Sequence, residues 1–246
     1  MEYFAATDIG RVREKNQDQA VTAINLKDQV LGLVCDGMGG HKAGEIASHV
    51  VENHVLTCFR ANPPFLDDEE VENWLIDTVL EAHQIVKRMA NMDEDTKGMG
   101  TTVAIAVVIE DDVYLCHVGD SRIYLYDCHC LKQVTKDHTL VNELIERGAI
   151  SIEEGKNHRQ KNVLMQAIGV DMDIVPEMKK VSLKGRNILI CSDGLYNNLT
   201  DQDILQILCQ KDKVENKVKA LINEANAHGG SDNIAVVLIE GGSDDE

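Results

Sequence analysis

The sequence predicts an α+β fold in which antiparallel strands combine with amphipathic helices. Short apolar runs, several bounded by Gly or Asp, recur at 3–8, 18–24, 29–35, 101–109, 112–118, 121–127, 187–192 and 232–240, and each has the length of a strand. The segments 101–109, 112–118 and 121–127 follow one another with breaks too short for a crossover helix. This part of the sheet must therefore be antiparallel, which excludes a purely doubly wound arrangement. Much of the remaining chain carries helical periodicity.

In chain order, the strands at 3–8, 18–24 and 29–35 lead into a glycine-rich loop and a long helix. A second helix is read over 68–91, where Val71, Leu75, Val79, Ala82 and Val86 form one stripe, acids open the segment, and Lys87 and Arg88 lie near its end as the helix dipole favours. The polar stretch GAISIEEGKNHRQKN at 148–162 interrupts two better patterned regions and reads as a surface flap. Helices near 201–210 and 213–227 begin with Thr200 followed by Asp203 and Asp212 followed by Glu215, two N-cap pairings, and Val214, Val218, Leu221, Ile222 and Ala225 mark the buried side of the second. No linker, repeat or low-complexity run divides the chain, so residues 1–241 are expected to form one domain, followed by an acidic tail at 242–246.

Of the 246 residues, 43% are hydrophobic but only 4% aromatic, so Val, Ile, Leu and Ala must fill the core. The 42 Asp and Glu against 24 Lys and Arg give a formal charge of -18, which repels nucleic acid and anionic lipid and makes cations the natural partners. No apolar stretch reaches the roughly 18 residues of a membrane helix and the N-terminus lacks a signal-peptide layout, so a cytoplasmic protein without membrane insertion is expected. Five of the seven cysteines sit inside apolar segments, as reduced core thiols do. The tight Cys128-His129-Cys130 cluster lacks a second pair at zinc-finger spacing and reads as a turn.

The strongest chemical signal is a recurrence. Three apolar strands end in an aspartate beside glycine, at Asp36 in LGLVCDG, Asp120 in YLCHVGD and Asp193 in ILICSDG. Asp232 precedes the last strand and Asp18 closes the KNQD run before an early one. One Asp-Gly is usually only a turn. Several acids gathered on one rim would repel one another unless a cation held them, and an oxygen-only set without His or Cys suits hard ions such as Mg²⁺ or Mn²⁺. Carboxylate-held divalent ions activate water and neutralise charge on a transferring phosphoryl group, so phosphate ester hydrolysis is the candidate chemistry. Arg13, five residues before Asp18, supplies a guanidinium fork that matches phosphate oxygens.

The ordered segments TDIGRVREKNQD (7–18), VCDGMGGHKAGEIAS (34–48), GMGTT (98–102), HVGDSRIYLY (117–126), TKDHTLV (135–141), NVLMQAIG (162–169), CSDGLYN (191–197) and GGSDNIAVVL (229–238) resemble the metal-dependent Ser/Thr protein phosphatases of type 2C in their compact bacterial form. The resemblance spans nearly the whole chain. It implies a four-layer α/β/β/α sandwich, two or three Mn²⁺ or Mg²⁺ ions, and in-line attack on phosphorus by a hydroxide bridging two ions, without a phosphoenzyme. Position by position, Asp36 resembles the bridging ligand, Gly37 a carbonyl ligand, Asp193 and Asp232 the rest of the second ion's sphere, and Asp18 an outer ligand. Asp120 with Asp193 resembles a third-ion site, Arg13 the phosphate-binding arginine, and Asn233 a residue supporting the ligands.

Met38 stands where animal members carry a His proposed as general acid, which leaves leaving-group protonation to a metal-bound water or to His158 in the flap, itself a candidate substrate contact. Arg159 follows that His where bacterial relatives often have Pro, and His41 reads as a helix-capping residue. The resemblance further implies phosphorylated proteins as substrates, including a membrane Ser/Thr kinase that the enzyme opposes, and a monomer.

Other classes fit less well. A cysteine phosphatase needs Arg six residues after its Cys, and Cys130 is followed there by Lys136; DGMGGHKAGE does not make a Walker loop. A phosphatase dedicated to one bacterial switch protein usually carries sensor domains, for which this chain has no room. A catalytically silent phosphoprotein-binding relative would be expected to have lost metal carboxylates or the arginine, whereas Arg13, Asp36, Asp193 and Asp232 are all present. Ions bound only by the folded chain stabilise it by linkage, so Mn²⁺ should raise the melting temperature of EDTA-treated protein; coincident melting curves would count against a metal site.

Overall fold

The computed structural model describes residues 1–39, 43–156 and 158–241. The expected cap at His41 and the tail at 242–246 lie outside the described residues. The chain forms β1 (Glu2–Asp8), β2 (Asp18–Ile24), β3 (Val30–Met38), α1 (Ala43–Ala61), α2 (Asp68–Ala90), β4 (Gly100–Thr101), β5 (Val103–Ile109), β6 (Asp112–Val118), β7 (Arg122–Tyr126) and β8 (Leu131–Gln133). It continues through α3 (Leu140–Glu146), α4 (Ile152–Lys156), β9 (Glu177–Ser182), β10 (Asn187–Cys191), α5 (Asp193–Tyr196), α6 (Asp201–Leu208), α7 (Val214–Ala227) and β11 (Ile234–Glu240). One sheet has the order β1-β11-β10-β7-β8 and the other β2-β3-β5-β6-β9, with β4 added to β3. Every pairing is antiparallel.

Strand alternation divides the core into the three contacts that four layers require. Leu31, Leu33 and Cys35 of β3, with Val103, Ile105 and Val107 of β5, face α1 and α2. Val30 and Val34, with Ala104, Ala106 and Val108, face the other way, onto Ile188, Ile190, Ala235, Val237 and Ile239 of the second sheet. The opposite sides of β10 and β11, through Leu189, Cys191, Val236 and Leu238, pack on Leu195, Ile204, Val218 and Leu221 of the C-terminal helices. The result is the expected α/β/β/α sandwich. The stripe Val71, Leu75, Val79, Ala82 and Val86 on α2 is completely buried, as its spacing predicts.

β9 has no counterpart among the predicted strands, and two predicted features form differently. The strand at 121–127 does not continue the β5-β6 ladder; β7 crosses to the other sheet and pairs with β10. The crossing is made at Gly119, whose positive φ of 106° turns the chain out of β6 just before Asp120. At the second helix start, Thr200 and Asp203 form the expected capping box on α6, but α7 is preceded by Lys213 without a side-chain cap. Asp212 instead accepts from the Lys213 N–H and the Asn216 amide, both at 2.7 Å.

The Cys128-His129-Cys130 segment is a turn, with Asp127 accepting from the backbone N–H groups of His129 and Cys130 at 2.7 and 2.9 Å. No helix among the described residues is long and apolar enough to cross a membrane.

The two sheets approach closely at Gly32. A Cβ there would lie 3.0 Å from Ile190 Cδ1 and Val237 Cγ1 and 3.1 Å from Ile239 Cδ1. Gly32→Val should therefore overpack the inter-sheet layer and destabilise the fold by about 1–3 kcal/mol. Chemical denaturation checks this through a lower midpoint with an unchanged slope.

Candidate active site

The predicted acidic residues converge on one rim of the sandwich. The β2-β3 register sets Asp18 directly opposite Asp36, which puts both side chains on the same face. Asp36 lies inside β3 rather than beyond its end, and its backbone is fixed on three sides. Its N–H donates to Thr102 Oγ1 at 2.9 Å, and its carbonyl accepts from the Thr102 N–H and Thr101 Oγ1, each at 2.9 Å. Gly37 is wedged between chains: a Cβ would stand 2.3 Å from the Gly44 carbonyl oxygen and 2.6 Å from that of Gln17. Only glycine fits there.

The second sheet brings in the others. Ser192, closing β10, donates its hydroxyl to Asp18 Oδ2 at 2.6 Å and accepts from the Ala235 N–H at 2.8 Å, so one side chain joins both sheets at the rim. Asp193 follows as the first residue of α5, with Oδ2 accepting from the Asn197 amide at 3.0 Å. A Cβ on Gly194 would fall 1.9 Å from the Asn233 carbonyl oxygen, which is how closely α5 meets the chain entering β11. Asp232 lies on that chain and takes a 2.6 Å ion pair from Arg13.

Asn233 ties the arginine-bearing loop down. Its amide donates to the carbonyls of Ile9 and Lys15, both at 2.8 Å, and its Oδ1 accepts from the Gln17 N–H at 2.9 Å. Asp120 borders the same cleft, with its carbonyl accepting from the Tyr196 hydroxyl at 3.0 Å. The Tyr196 ring lies 3.6 Å beneath the Arg122 guanidinium, which in turn forks onto Asp137.

A cleft of about 380 Å³ is lined by Arg13, Asp36, Gly37, Asp120, Asp193 and Asp232, among others. Asp18 lies beneath it, 2% exposed. Thr102, Gln17 and Asn162 also line the cleft, and Ser192 braces it; all four lie within the motif segments, where nothing local marks these roles. His158 lies apart. It borders a separate surface depression with Glu153, Glu154, Arg159 and Gln160, and its Nδ1 accepts from the Gln160 N–H at 3.2 Å.

The electrostatics are those of crowded like charges. Burial, then the charges of Asp193 and Asp232, push the Asp18 carboxyl up to about 8, against the hydrogen bond from Ser192. Burial and the surrounding aspartates, Asp18 first, push Asp36 well above the usual carboxylate range. Asp120 is raised to about 7 by burial and Asp193, and Asp193 to about 6 by burial and Asp232. Asp193 Oδ1 is buried without a hydrogen-bond partner. An orphaned carboxylate oxygen, an all-oxygen donor set and a backbone that only glycine permits fit a hard divalent cation. Asp18, Asp36, the Gly37 carbonyl, Asp120, Asp193 and Asp232 could hold such ions.

Comparison with known proteins gives a consistent result. The family model for protein phosphatase 2C matches residues 10–238. A serine/threonine phosphatase Stp of Listeria monocytogenes is 38% identical over 235 residues, which are 95% of this chain and 93% of that one. The structure of the S. agalactiae serine/threonine phosphatase superposes with a TM-score of 0.92 at 35% identity, covering 97% of this chain and 98% of that one. The catalytic domain of the phosphatase PstP, whose structure contains two manganese ions, superposes with a TM-score of 0.84 at 32% identity, covering 97% of each chain.

The crowding has a consequence for pH dependence. A carboxyl that holds its proton to about pH 8 when folded, as Asp18 does, and only to its ordinary value of about 3.8 when unfolded binds more protons in the folded chain across that interval. EDTA-treated protein should therefore lose stability as pH rises from about 4 to about 8. Melting temperatures across this range check the sign, and Asp18→Asn should flatten the decline.

Proposed function

Given that the chain belongs to the protein phosphatase 2C family and is a protein serine/threonine phosphatase, we propose that it removes phosphate from phosphoserine and phosphothreonine by direct hydrolysis in the aspartate cleft. The observation that carries this reading is the convergence of Asp18, Asp36, Asp120, Asp193 and Asp232 around the orphaned Asp193 oxygen, beside Arg13. These carboxylates and the Gly37 carbonyl would hold two or three divalent ions, Mn²⁺ or Mg²⁺, which when bound would supply Lewis-acid charge and activate water.

The protein residues do the rest by position. Asp36 lines the cleft and feels the charges of Asp18, Asp193, Asp120 and Asp232 together, which would suit it to contact more than one ion. Arg13 is half exposed, and its guanidinium lies where it can exchange the Asp232 carboxylate for phosphoryl oxygens. Asn233 holds the Arg13 loop by three hydrogen bonds and positions both partners. No Cys, His or Ser lines the cleft among the described residues, and the Thr102 hydroxyl is engaged by the Asp36 N–H and Ser121. This supports water rather than a side chain as the nucleophile. His158 is assigned to substrate contact on the flap rather than to proton donation, because it stands outside the cleft lining. The substrates proposed are phosphorylated proteins, a membrane Ser/Thr kinase that the enzyme opposes among them. The enzyme is proposed to act in the cytoplasm as a monomer.

Release of phosphate from a phosphothreonine peptide in Mn²⁺, with and without EDTA, tests the proposal. Activity should disappear with EDTA. Asp193→Asn should lose at least about 100-fold, since even residues that only orient metal ligands cost 10–100-fold, and Arg13→Ala about 100-fold in kcat/KM, as for other charge-stabilising donors. No release by folded, Mn²⁺-bound protein would instead identify a phosphoprotein-binding module.

A further inference from the structure

Away from the cleft, His54 and Cys58 stand one turn apart on α1, and Glu81 of the neighbouring α2 meets them. Their ligand atoms all lie within 4.8 Å of one another. From these residues we infer a second metal site, selective for a borderline ion such as Zn²⁺ and independent of the catalytic ions.

The distances carry the assignment. With Zn–N and Zn–O near 2.1 Å and Zn–S near 2.3 Å, a tetrahedral ion sets an N···S edge of about 3.6 Å and an N···O edge of about 3.4 Å. His54 Nε2 lies 3.7 Å from Cys58 Sγ and 3.4 Å from Glu81 Oε2, while Nδ1 stands 4.0 Å from the same sulfur, so binding requires the imidazole to turn its Nε2 edge toward the thiol. The second distance is longer than a good N–H···O hydrogen bond, whose usual range is about 2.7–3.2 Å, but matches the edge of a coordination tetrahedron. The i,i+4 spacing on α1 sets the imidazole and thiol on one face, and Glu81 comes from the facing helix. The three side chains would thus clamp two helices that otherwise meet through apolar contacts. Three protein ligands leave the fourth position to water.

Ligand chemistry separates this site from the cleft. A thiolate with an imidazole favours Zn²⁺ over Mg²⁺ or Mn²⁺, whereas the aspartates favour the hard ions. His54 is about ten residues along α1 from Gly44, the residue packed under Gly37, or about 15 Å along the helix axis. On binding, the Cys58 thiol would release its proton to solvent and His54 would bind through Nε2; in the free protein, burial and the Glu81 charge raise the thiol's pKa, which slows its alkylation without preventing it. A second grouping, His117, His138 and Glu177, is less available, because His117 Nε2 is bound to the Lys136 carbonyl at 2.8 Å and His138 Nδ1 accepts from the Gly119 N–H at 3.2 Å.

The test adds Zn²⁺, and separately Co²⁺, to the full-length protein already saturated with Mn²⁺. One Zn²⁺ per chain should bind that excess Mn²⁺ does not displace, raise the melting temperature, and shield Cys58 from alkylation. Co²⁺ should give a thiolate charge-transfer band. Cys58→Ser and the surface variant Glu81→Gln should each weaken uptake, the former at least about 100-fold, while Cys128→Ser should leave it unchanged. Uptake that Mn²⁺ abolishes, that survives Cys58→Ser, or that is lost in Cys128→Ser would overturn the assignment.

Discussion

The mutual repulsion of buried aspartates is the constraint around which the rim of this fold is organised. Asp18, Asp36, Asp120 and Asp193 each have a raised pKa, because burial and neighbouring charge act in the same direction. Such an assembly opposes folding unless protons or metal ions neutralise it. A fold that retains it must fix the carboxylates rigidly enough for cations to bind between them. Antiparallel pairing meets that need, because register places side chains to within a residue: Asp18 faces Asp36 across β2 and β3. The sandwich then sets a second sheet against the first, so that Ser192 and Asp193 arrive from β10 at the same rim.

Rigidity at the rim comes from backbone packing more than from side-chain bulk. Gly37 and Gly194 allow chains to approach to distances that no Cβ tolerates. Asn233 replaces a missing stretch of sheet by bonding three backbone groups of the loop that carries Arg13. The cation beside these anions is Arg13, half exposed and already paired with Asp232. A fixed set of anions beside one accessible cation is an arrangement suited to capturing a phosphoryl group without first reorganising the scaffold.

Much of this was legible in the chain because the signals were local or repeated. The short apolar runs of β3, β5, β10 and β11 read directly as strands, and the stripe on α2 as a buried helix face. The strand-end aspartates could be seen as a set because the same Asp-Gly pattern recurred. Long-range features were less legible. The transfer of β7 to the second sheet depends on the turn at Gly119, and short breaks between runs cannot distinguish pairing from crossing. β9 was missed because its residues are only half-buried or exposed and carry no alternating apolar face. Ser192 and Thr102 gave no signal, since their roles come from partners distant in sequence. The His54-Cys58-Glu81 grouping was invisible for the same reason, Glu81 lying on a different helix.

The central claim, that divalent cations take the place of protons among these aspartates, is tested most directly by calorimetric titration of Mn²⁺ into EDTA-treated, desalted protein. Measured near pH 7 in two buffers of different ionisation enthalpy, the heats give the number of protons displaced. With Asp18 raised to about 8 and Asp120 to about 7, uptake of at least two ions should release protons, and Asp36→Asn should diminish both uptake and release. Uptake without proton release, or uptake unchanged in Asp36→Asn, would contradict the account.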